Sequence, residues 1–409
     1  MIQKLKYMND IVDDSATKYN YIVNLASEVA KNYGFKYINT PIIEMTSLFK
    51  RSVGESSDIV NKEMYNFTDK GDRDICMRPE GTAGVVRHFV ESKKDRQQPS
   101  KFKYFYFGKM YRYERGQKGR YREFNQFGCE SFGEPSVLED FMIIEMISTI
   151  FDKLNIKYAL EINSIGCDSC MPVYKDNLVK FLEPKKDALC QDCQRRLLQN
   201  PMRVLDCKNS SCQEQIANAP KITNNLCESC DSDFKQLVEL LDNSGIEYNI
   251  NTNLVRGLDY YNKTAFEFVS KEIGSQGAIA GGGRYDKLVE FLDGKSTPAV
   301  GFAMGIERLM MLIDIPKESR DGYYLGALDA NALSKILEAS KKIRINSKAY
   351  VEYGAKNLKG HLKNADRFNA KYCAVIGEEE LQNGTIWVKN LEDKSQDVID
   401  FNEFIKSIG

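Results

Sequence analysis

Tyr21, Ile22, Leu25, Val29 and Ala30 recur at three- and four-residue spacing through residues 17–33, and the pattern stops at Gly34. That period lays one apolar stripe along a helix, which the glycine ends. FKYINTPII (35–43) follows as a short strand; its Pro41 cannot donate to a ladder and marks an edge or a strand end. Residues 82–91 read as a second helix. From Lys101 to Glu130 the period becomes two: Tyr104, Tyr106 and Met110 alternate with Phe105, Phe107 and Tyr111. GQKG at 116–119 then reverses the chain before YREFNQFGCE, which predicts one long hairpin. Leu138 to Leu154 is apolar enough for a buried helix. Strand-like stretches return at 246–269 and 277–281, and Tyr285–Leu292 and Gly305–Ile313 read as helices. From about residue 322, strands and helices alternate (YYLGALD, ALSKILEASKKI, AYVEY, a Lys-rich helix, YCAVIG), the mark of a small α/β unit. No repeat of about 20–50 residues is present.

Composition adds exclusions. A chain of 409 residues is long enough for two to four domains of about 100–200 residues. With 42 % hydrophobic and 28 % charged residues it is not a disordered polymer. No stretch approaches the roughly 18 apolar residues of a membrane helix; the best run, Phe141 to Phe151, contains Glu145. The opening MIQKLKYMND lacks the apolar core of a signal peptide, so a cytoplasmic location without membrane contact is expected. A net charge of −1 leaves nucleic-acid binding to local patches. The two histidines, His88 and His361, lie far apart, which argues against a His-based metal site or a Ser-His-Asp triad. Proton transfer and charge stabilisation then fall to Glu, Asp, Arg, Tyr or Lys.

Four constellations could carry chemistry. Lys93 to Arg122 holds eleven Lys/Arg against Asp95 and Glu114. Alternation on a hairpin would put Arg112 and Glu114 on one face, where a fixed guanidinium can grip a phosphate at two points; the same run would also serve as a solvated face. In ICMRPEGTAG (75–84), Thr82 is a candidate N-cap, and Glu80 would either cap the helix or accept hydrogen bonds from a ligand amine. NLVRGLDYYNKTAFEF (253–268) sets Arg256, Asp259 and two adjacent tyrosines at the mouth of a strand, where only one tyrosine should face a given pocket; a plain hairpin turn is the simpler alternative. GAIAGGGRYD (277–286) implies backbone packed hard against a ligand or another strand. PAVGFAMGIERLM (298–310) leads into a helix with Glu307 beside Arg308, and neither segment is a dinucleotide fingerprint or a P-loop.

In order along the chain these segments resemble the class II aminoacyl-tRNA synthetases, and within them the histidyl-tRNA synthetase family. Residues 75–84 are similar to its RPEGT block, and FGKMYRYERGQKGRYREFNQFGCE to motif 2. LVRGLDYY and GGGRYD are similar to the two histidine-specific blocks, VGFAMGIERL resembles motif 3, and Pro41 sits where motif 1 has its proline. The resemblance implies an α+β fold: an antiparallel sheet flanked by helices, with an inserted small domain and a C-terminal α/β anticodon-binding domain. The expected divisions are a catalytic core over 1–163 and 246–320, a Cys-rich insertion over 164–245 and the anticodon-binding domain over 321–409. It implies ligation of L-histidine to tRNA(His) with ATP and Mg through a histidyl-adenylate, in a homodimer built on motif 1.

By the same resemblance, Arg112, Arg256 and Arg308 would be catalytic. Arg112, Glu114, Phe124 and Arg308 would bind ATP, with Arg112 on the α-phosphate and Glu114 on adenine's amino group. Glu80, Gly81, Thr82 and Gln126 would hold the α-amino end of histidine; Glu130 and Tyr261 would pin the imidazole, with Tyr260 lining the same pocket. A carboxylate and a phenol suit neutral imidazole, which has one donor and one acceptor nitrogen. Gln117, Lys118 and Arg120 on the motif 2 turn would meet the tRNA acceptor end, although Gly116 stands where many relatives have proline. Lys335 to Arg367, with nine basic and three acidic residues, offers a second RNA-facing patch or an ordinary Lys-rich helix pair.

Eight of the eleven cysteines fall in 164–232, as Cys167/Cys170, Cys190/Cys193, Cys207/Cys212 and Cys227/Cys230. In a reducing compartment such pairs read as ligands of structural zinc or as reduced thiols, and the spacing does not say which pairs join. Cys76, Cys129 and Cys373 read as isolated buried thiols. The rival to an enzyme is a non-catalytic synthetase-like regulatory subunit of histidine biosynthesis. The Arg256 block and the C-terminal α/β unit both speak against it.

Overall fold

The aromatic alternation of residues 101–130 becomes a hairpin in which Phe102–Tyr111 runs antiparallel to Glu123–Phe132, with Phe102 opposite Phe132 and Tyr111 opposite Glu123. The structure is a computed structural model that describes residues 1–54, 57–207, 209–315 and 319–408, the side chains of 275 and 276 excepted. It comprises two units, Met1–Asp314 and Ile315–Gly409.

The hairpin lies inside an eight-stranded sheet with the order 36–37, 102–111, 123–132, 299–305, 278–284, 262–269, 159–164, 248–250. Only the two outermost strands pair in parallel; the rest of the ladder is antiparallel. Helices Asp13–Asn32 and Val137–Lys153 pack on the sheet; the second buries Ile143, Ile144, Met146, Ile147, Ile150 and Phe151. The mixed α and β architecture built on an antiparallel sheet agrees with the expected α+β class.

Several segments depart from the expected elements. FKYINTPII is not one strand: Lys36–Tyr37 joins the large sheet, and Ile43–Met45 joins a separate three-stranded sheet with 65–68 and 74–77. The break at Pro41 is held open by Arg78, which donates to the carbonyl of Thr40 at 2.8 Å while its backbone N–H donates to Ile42. The hairpin strands stop at Tyr111 and resume at Glu123, so Arg112 and Glu114 lie on a loop and not on a strand face. Residues 251–261 are a loop as well, because strand pairing begins at Asn262. The helices expected over 285–292 and 305–313 shorten to Leu288–Phe291 and Ile306–Met310.

Residues 165–245 form a small helical body between the strands 159–164 and 248–250. Its core gathers Tyr174, Leu178, Leu182, Leu197, Val204 and Ile216. In the second unit, strands 349–351, 323–327 and 372–376 are parallel, and 385–390 and 396–400 extend the sheet antiparallel. The Lys-rich helix is Leu358–Arg367. Its His361 is fully buried: Nε2 donates to the Ala327 carbonyl at 2.9 Å, which leaves Nδ1 to accept from the Tyr324 hydroxyl at 3.2 Å.

Arg284, 1 % exposed, ties the end of the glycine-rich strand 278–284 to the start of helix Val137–Lys153. It pairs with Asp140, itself 0 % exposed, and donates to the carbonyls of Glu134 and Ser136, each at 3.0 Å. Removing one partner of such a pair strands a buried charge and costs about 3–5 kcal/mol. Asp140→Ala leaves Arg284 only Asp286, at 3.3 Å, as a charged partner and is expected to lower the urea midpoint of the first unit at unchanged slope, by the equivalent of about 3 kcal/mol; a loss under about 1 kcal/mol would show that Asp286 or water takes over the charge.

Candidate active site

One cleft on the face of the large sheet, about 690 Å³ in volume, collects most of the residues singled out above. Arg112 and Glu114 enter from the loop after the first hairpin strand, Phe124 and Gln126 from the second strand, and Glu80 and Thr82 from the start of helix Thr82–Glu91. Arg256, Tyr260 and Tyr261 arrive on the 251–261 loop, and Arg308 on helix Ile306–Met310. The turn is closed by Gln117 and Arg120, whose backbone groups exchange hydrogen bonds of 3.1 and 2.9 Å around Gly119, at φ +75°. Arg120 and Gly119 line the cleft, whereas Gln117 and Lys118 lie outside it. Gly116 is explained locally, since a Cβ there would collide with the Tyr7 ring.

Each arginine is held by specific partners. Arg112 donates Nε to the Pro79 carbonyl at 2.8 Å, lies 5.3 Å from the Phe124 ring and comes within 3.7 Å of Glu114, which also pairs with Arg120. Arg256 pairs with Glu267 at 2.7 Å and rests over Gly281, where a Cβ would strike its guanidinium. Arg308 donates Nε to the Gly119 carbonyl at 2.9 Å and Nη1 to the Ala278 carbonyl, so it bridges the turn and the glycine-rich strand. Burial, with Arg120 nearby, holds the Arg308 guanidinium below its ordinary pKa. Arg256 Nε and Gln126 Oε1 are buried without a hydrogen-bond partner among the described residues. Such atoms cost about 1–3 kcal/mol each, and both belong to residues lining the cleft.

Glu80 caps the helix: its oxygens accept from the backbone N–H of Thr82 at 2.7 Å and of Ala83 at 2.9 Å. Gly81 is the N-cap and Thr82 the first helical residue, which corrects the expectation of Thr82 as the cap. The side chain of Thr82 is thereby released to donate to Glu130 at 2.7 Å. Tyr260 and Tyr261 both line the cleft, their ring centroids 4.6 Å apart; the one-in, one-out expectation fails because they precede the strand. Burial raises both phenols, which keeps them as neutral donors.

Glu130 lies behind the cleft wall, 0 % exposed, accepting from Thr82, from Tyr106 at 3.3 Å and from Tyr285. Burial pushes its carboxyl up to about 8; the Thr82 and Tyr285 hydroxyls pull the value down and Glu80 raises it. Sequence reasoning did not single out Glu267, Tyr285, Tyr106 or Asp206. The lone acid in TAFEF was the available signal for Glu267. Asp206 comes from the Cys-rich body, and no local pattern connects it to the cleft. The eight cysteines of that body lie outside the cleft, in two sets of four.

An antiparallel sheet with these motifs on its face is the catalytic scaffold of the class II aminoacyl-tRNA synthetases. The chain belongs to the histidyl-tRNA synthetase family. The family profile "Histidyl-tRNA synthetase" matches residues 7–309, and "Anticodon binding domain" matches 327–409. A histidine–tRNA ligase of Sulfurovum sp. (strain NBC37-1) is 60 % identical over 403 residues, 98 % of this chain and 100 % of that one. That of Sulfurimonas denitrificans is 58 % identical over 399 residues, 98 % and 99 % of the two chains. The apo crystal structure of S. aureus histidyl-tRNA synthetase superposes with a TM-score of 0.83 at 36 % identity, covering 100 % of both chains. No helix of the described residues is long and apolar enough to cross a membrane.

The Glu130 carboxyl is expected to titrate near 8 in carbon NMR of the native chain, well above its ordinary 4.5. Because the folded value is the higher one, the folded state holds a proton the unfolded chain has lost, so stability falls as pH rises from that ordinary range through about 8. Thr82→Val removes a donor and should move the titration further up. A native titration close to 4.5 would show the carboxylate to be solvated.

Proposed function

We infer that this chain charges tRNA(His) with L-histidine in two steps. The histidine carboxylate attacks the α-phosphorus of ATP and displaces pyrophosphate; a hydroxyl of the tRNA's terminal adenosine then attacks the adenylate carbonyl and displaces AMP. The observation that carries the reading is the meeting of Arg112, Arg256 and Arg308 with Glu80, Gln126 and the two tyrosines in one cleft. In-line displacement at phosphorus requires reactants held in line and neutralisation of growing negative charge, and fixed guanidiniums supply both.

Arg112 grips the α-phosphate and Arg256 meets it from the opposite side. Phe124 stacks under adenine, Arg308 covers its other face and reaches the γ-phosphate, and Glu114 accepts from the adenine amino group. Mg²⁺ prefers oxygen ligands, and Glu267, a carboxylate lining the cleft beside Arg256, fits an ion that arrives with the nucleotide. Glu80 keeps lone pairs beyond those used for capping, so with Thr82 and Gln126 it can hold the α-ammonium group against the Gly81 backbone. Tyr261 and Glu130 pin the imidazole and Tyr260 lines its pocket. As histidine binds, Glu130 releases its proton to solvent and accepts the ring N–H, which takes over one of the hydrogen bonds now made by Thr82, Tyr106 and Tyr285.

The turn residues Gln117, Lys118 and Arg120 meet the tRNA acceptor end, and the basic helices within 335–367 meet RNA elsewhere. The reading includes a cytoplasmic location, structural zinc on the cysteine sets and a homodimer. Supporting the dimer, Ile43, Met45 and Phe67 share one face of the small sheet and are 49, 45 and 42 % exposed. A regulatory role without catalysis fits less well, since the whole set of arginines is present.

Histidine-dependent ATP–pyrophosphate exchange, followed by charging of tRNA, tests the assignment. Exchange with histidine should exceed that with other amino acids by about 10⁴, as expected of a site that hydrogen-bonds both ring nitrogens. No exchange with histidine, or equal exchange with others, overturns it. Arg256→Ala should slow adenylate formation by about 10²–10³ with histidine affinity nearly kept; an equal loss of affinity would make Arg256 a ground-state contact.

A further inference from the structure

The eight cysteines of the inserted body are all free thiols, and they sort by position into Cys167, Cys170, Cys227 and Cys230, and Cys190, Cys193, Cys207 and Cys212. The first pair in sequence thus joins the fourth, and the second joins the third. Within each set every sulfur lies within 4.8 Å of the others. Cys167 is 3.7 Å from Cys170 and 3.8 Å from Cys227, and Cys190 is 3.9 Å from Cys207. Four thiolates at about 2.3 Å from one tetrahedral zinc stand about 3.8 Å apart. Backbone N–H groups also point at the sulfurs, Cys227 to Cys170 at 3.1 Å and Cys190 to Cys212 at 3.2 Å, as outer partners of metal thiolates do.

The two sets stand in different places. The first lies at the neck of the body, where Ile165 and Gly166 still pair with Lys263 of the large sheet through hydrogen bonds of 2.7 Å. The second is built into the segment that touches the cleft. Cys193 lies on helix Gln191–Gln199, whose Arg196 pairs with Asp58 at 2.7 Å. Between Cys193 and Cys207, Asn200 donates to Asp259 at 2.9 Å and Arg203 donates to the Gly257 carbonyl at 2.7 Å. Asp206, next to Cys207, lines the cleft, and Val255 is buried in the same core as Cys193, Cys207 and Cys212. The 251–261 loop, which carries Arg256, Tyr260 and Tyr261, therefore takes much of its support from the chain folded around these four sulfurs.

We propose that the chain binds two zinc ions, one in each tetrathiolate set, and that the ion held by Cys190, Cys193, Cys207 and Cys212 positions the 251–261 loop through Asn200, Arg203 and Val255. A body this small gains much of its folding energy from such a metal. Asn200 and Arg203 are positioning residues here. The coupling to substrate rests on the reading of the cleft as the histidine site, whereas the metal content does not.

Elemental analysis of the full-length protein should find about two zinc ions per chain. Fewer than about one, or iron in their place, overturns the metal assignment even where histidine-dependent exchange is normal. Cys207→Ser with Cys212→Ser should leave about one zinc per chain and raise KM for histidine about tenfold or more, with KM for ATP nearly unchanged. Since that variant risks misfolding, Asn200→Ala with Arg203→Ala cuts the polar part of the link and leaves Val255 in place: it should keep both ions and raise histidine KM severalfold. An unchanged histidine KM, or an equal rise for ATP, in this second variant overturns the positioning role. Absence of exchange in the unmodified chain is the separate failure of the histidine reading, visible beside an intact zinc count.

Discussion

The cleft depends on clearance over the middle of the large sheet, where Gly128, Gly301 and Gly281 sit on three neighbouring strands. A Cβ at Gly281 would strike the Arg256 guanidinium, one at Gly301 the Glu130 carboxylate, and one at Gly128 the Tyr106 hydroxyl. Polar groups can therefore lie against the backbone of the sheet instead of standing above a layer of side chains. Burial at that depth is costly for a carboxylate unless donors surround it. Three hydroxyls, drawn from a helix, a hairpin strand and the residue after the glycine-rich strand, surround Glu130, yet burial outweighs them and holds its carboxyl up at about 8. One enclosed acid thus links three elements that form the walls of the site.

The same clearance sets the electrostatics. Arg112 and Arg120 share Glu114, and Arg256 has Glu267, so the free cleft is already a lattice of ion pairs. On the function proposed above, an incoming triphosphate would offer these arginines stronger acceptors in a site partly shielded from water, where charge-assisted hydrogen bonds gain weight. The guanidiniums are fixed beforehand by backbone carbonyls: Pro79 for Arg112, Gly119 and Ala278 for Arg308. Little rearrangement is then needed at the moment of reaction, and that is the source of most electrostatic catalysis.

How much of this was legible depended on range. The hairpin, the helix Thr82–Glu91 and the C-terminal alternation follow from local period, and they appear close to where the pattern puts them. The motifs, recognised by family resemblance, named most of the cleft-lining residues. Errors arose where tertiary contacts override period. Arg78 occupies the carbonyl beside Pro41, and the nine-residue segment 35–43, read as one strand, is split between two sheets. Strand pairing ends at Tyr111 and starts only at Asn262, so alternation says nothing about where Glu114 or the two tyrosines point. Cysteine pairing was illegible for a similar reason, because Cys167 and Cys227 approach although they stand sixty positions apart in the chain.

The loop at 251–261 shows why the inserted body cannot be a bystander. It has no ladder of its own, yet it must present a guanidinium and two phenols in fixed positions on a flat glycine floor. Loops hold side chains less accurately than strands do, unless other elements restrain their backbone. The restraint comes from both flanks: Asp259 donates its backbone N–H to Val53 at 3.3 Å on one side and accepts from Asn200 on the other, and Val255 is enclosed in the core of the inserted body. A segment that reads from sequence as an appendage to the catalytic sheet is, in its packing, one wall of the site. Accuracy at Arg256 and Tyr261 is then limited by the rigidity of that body, whose core encloses Val255 together with Cys193, Cys207 and Cys212.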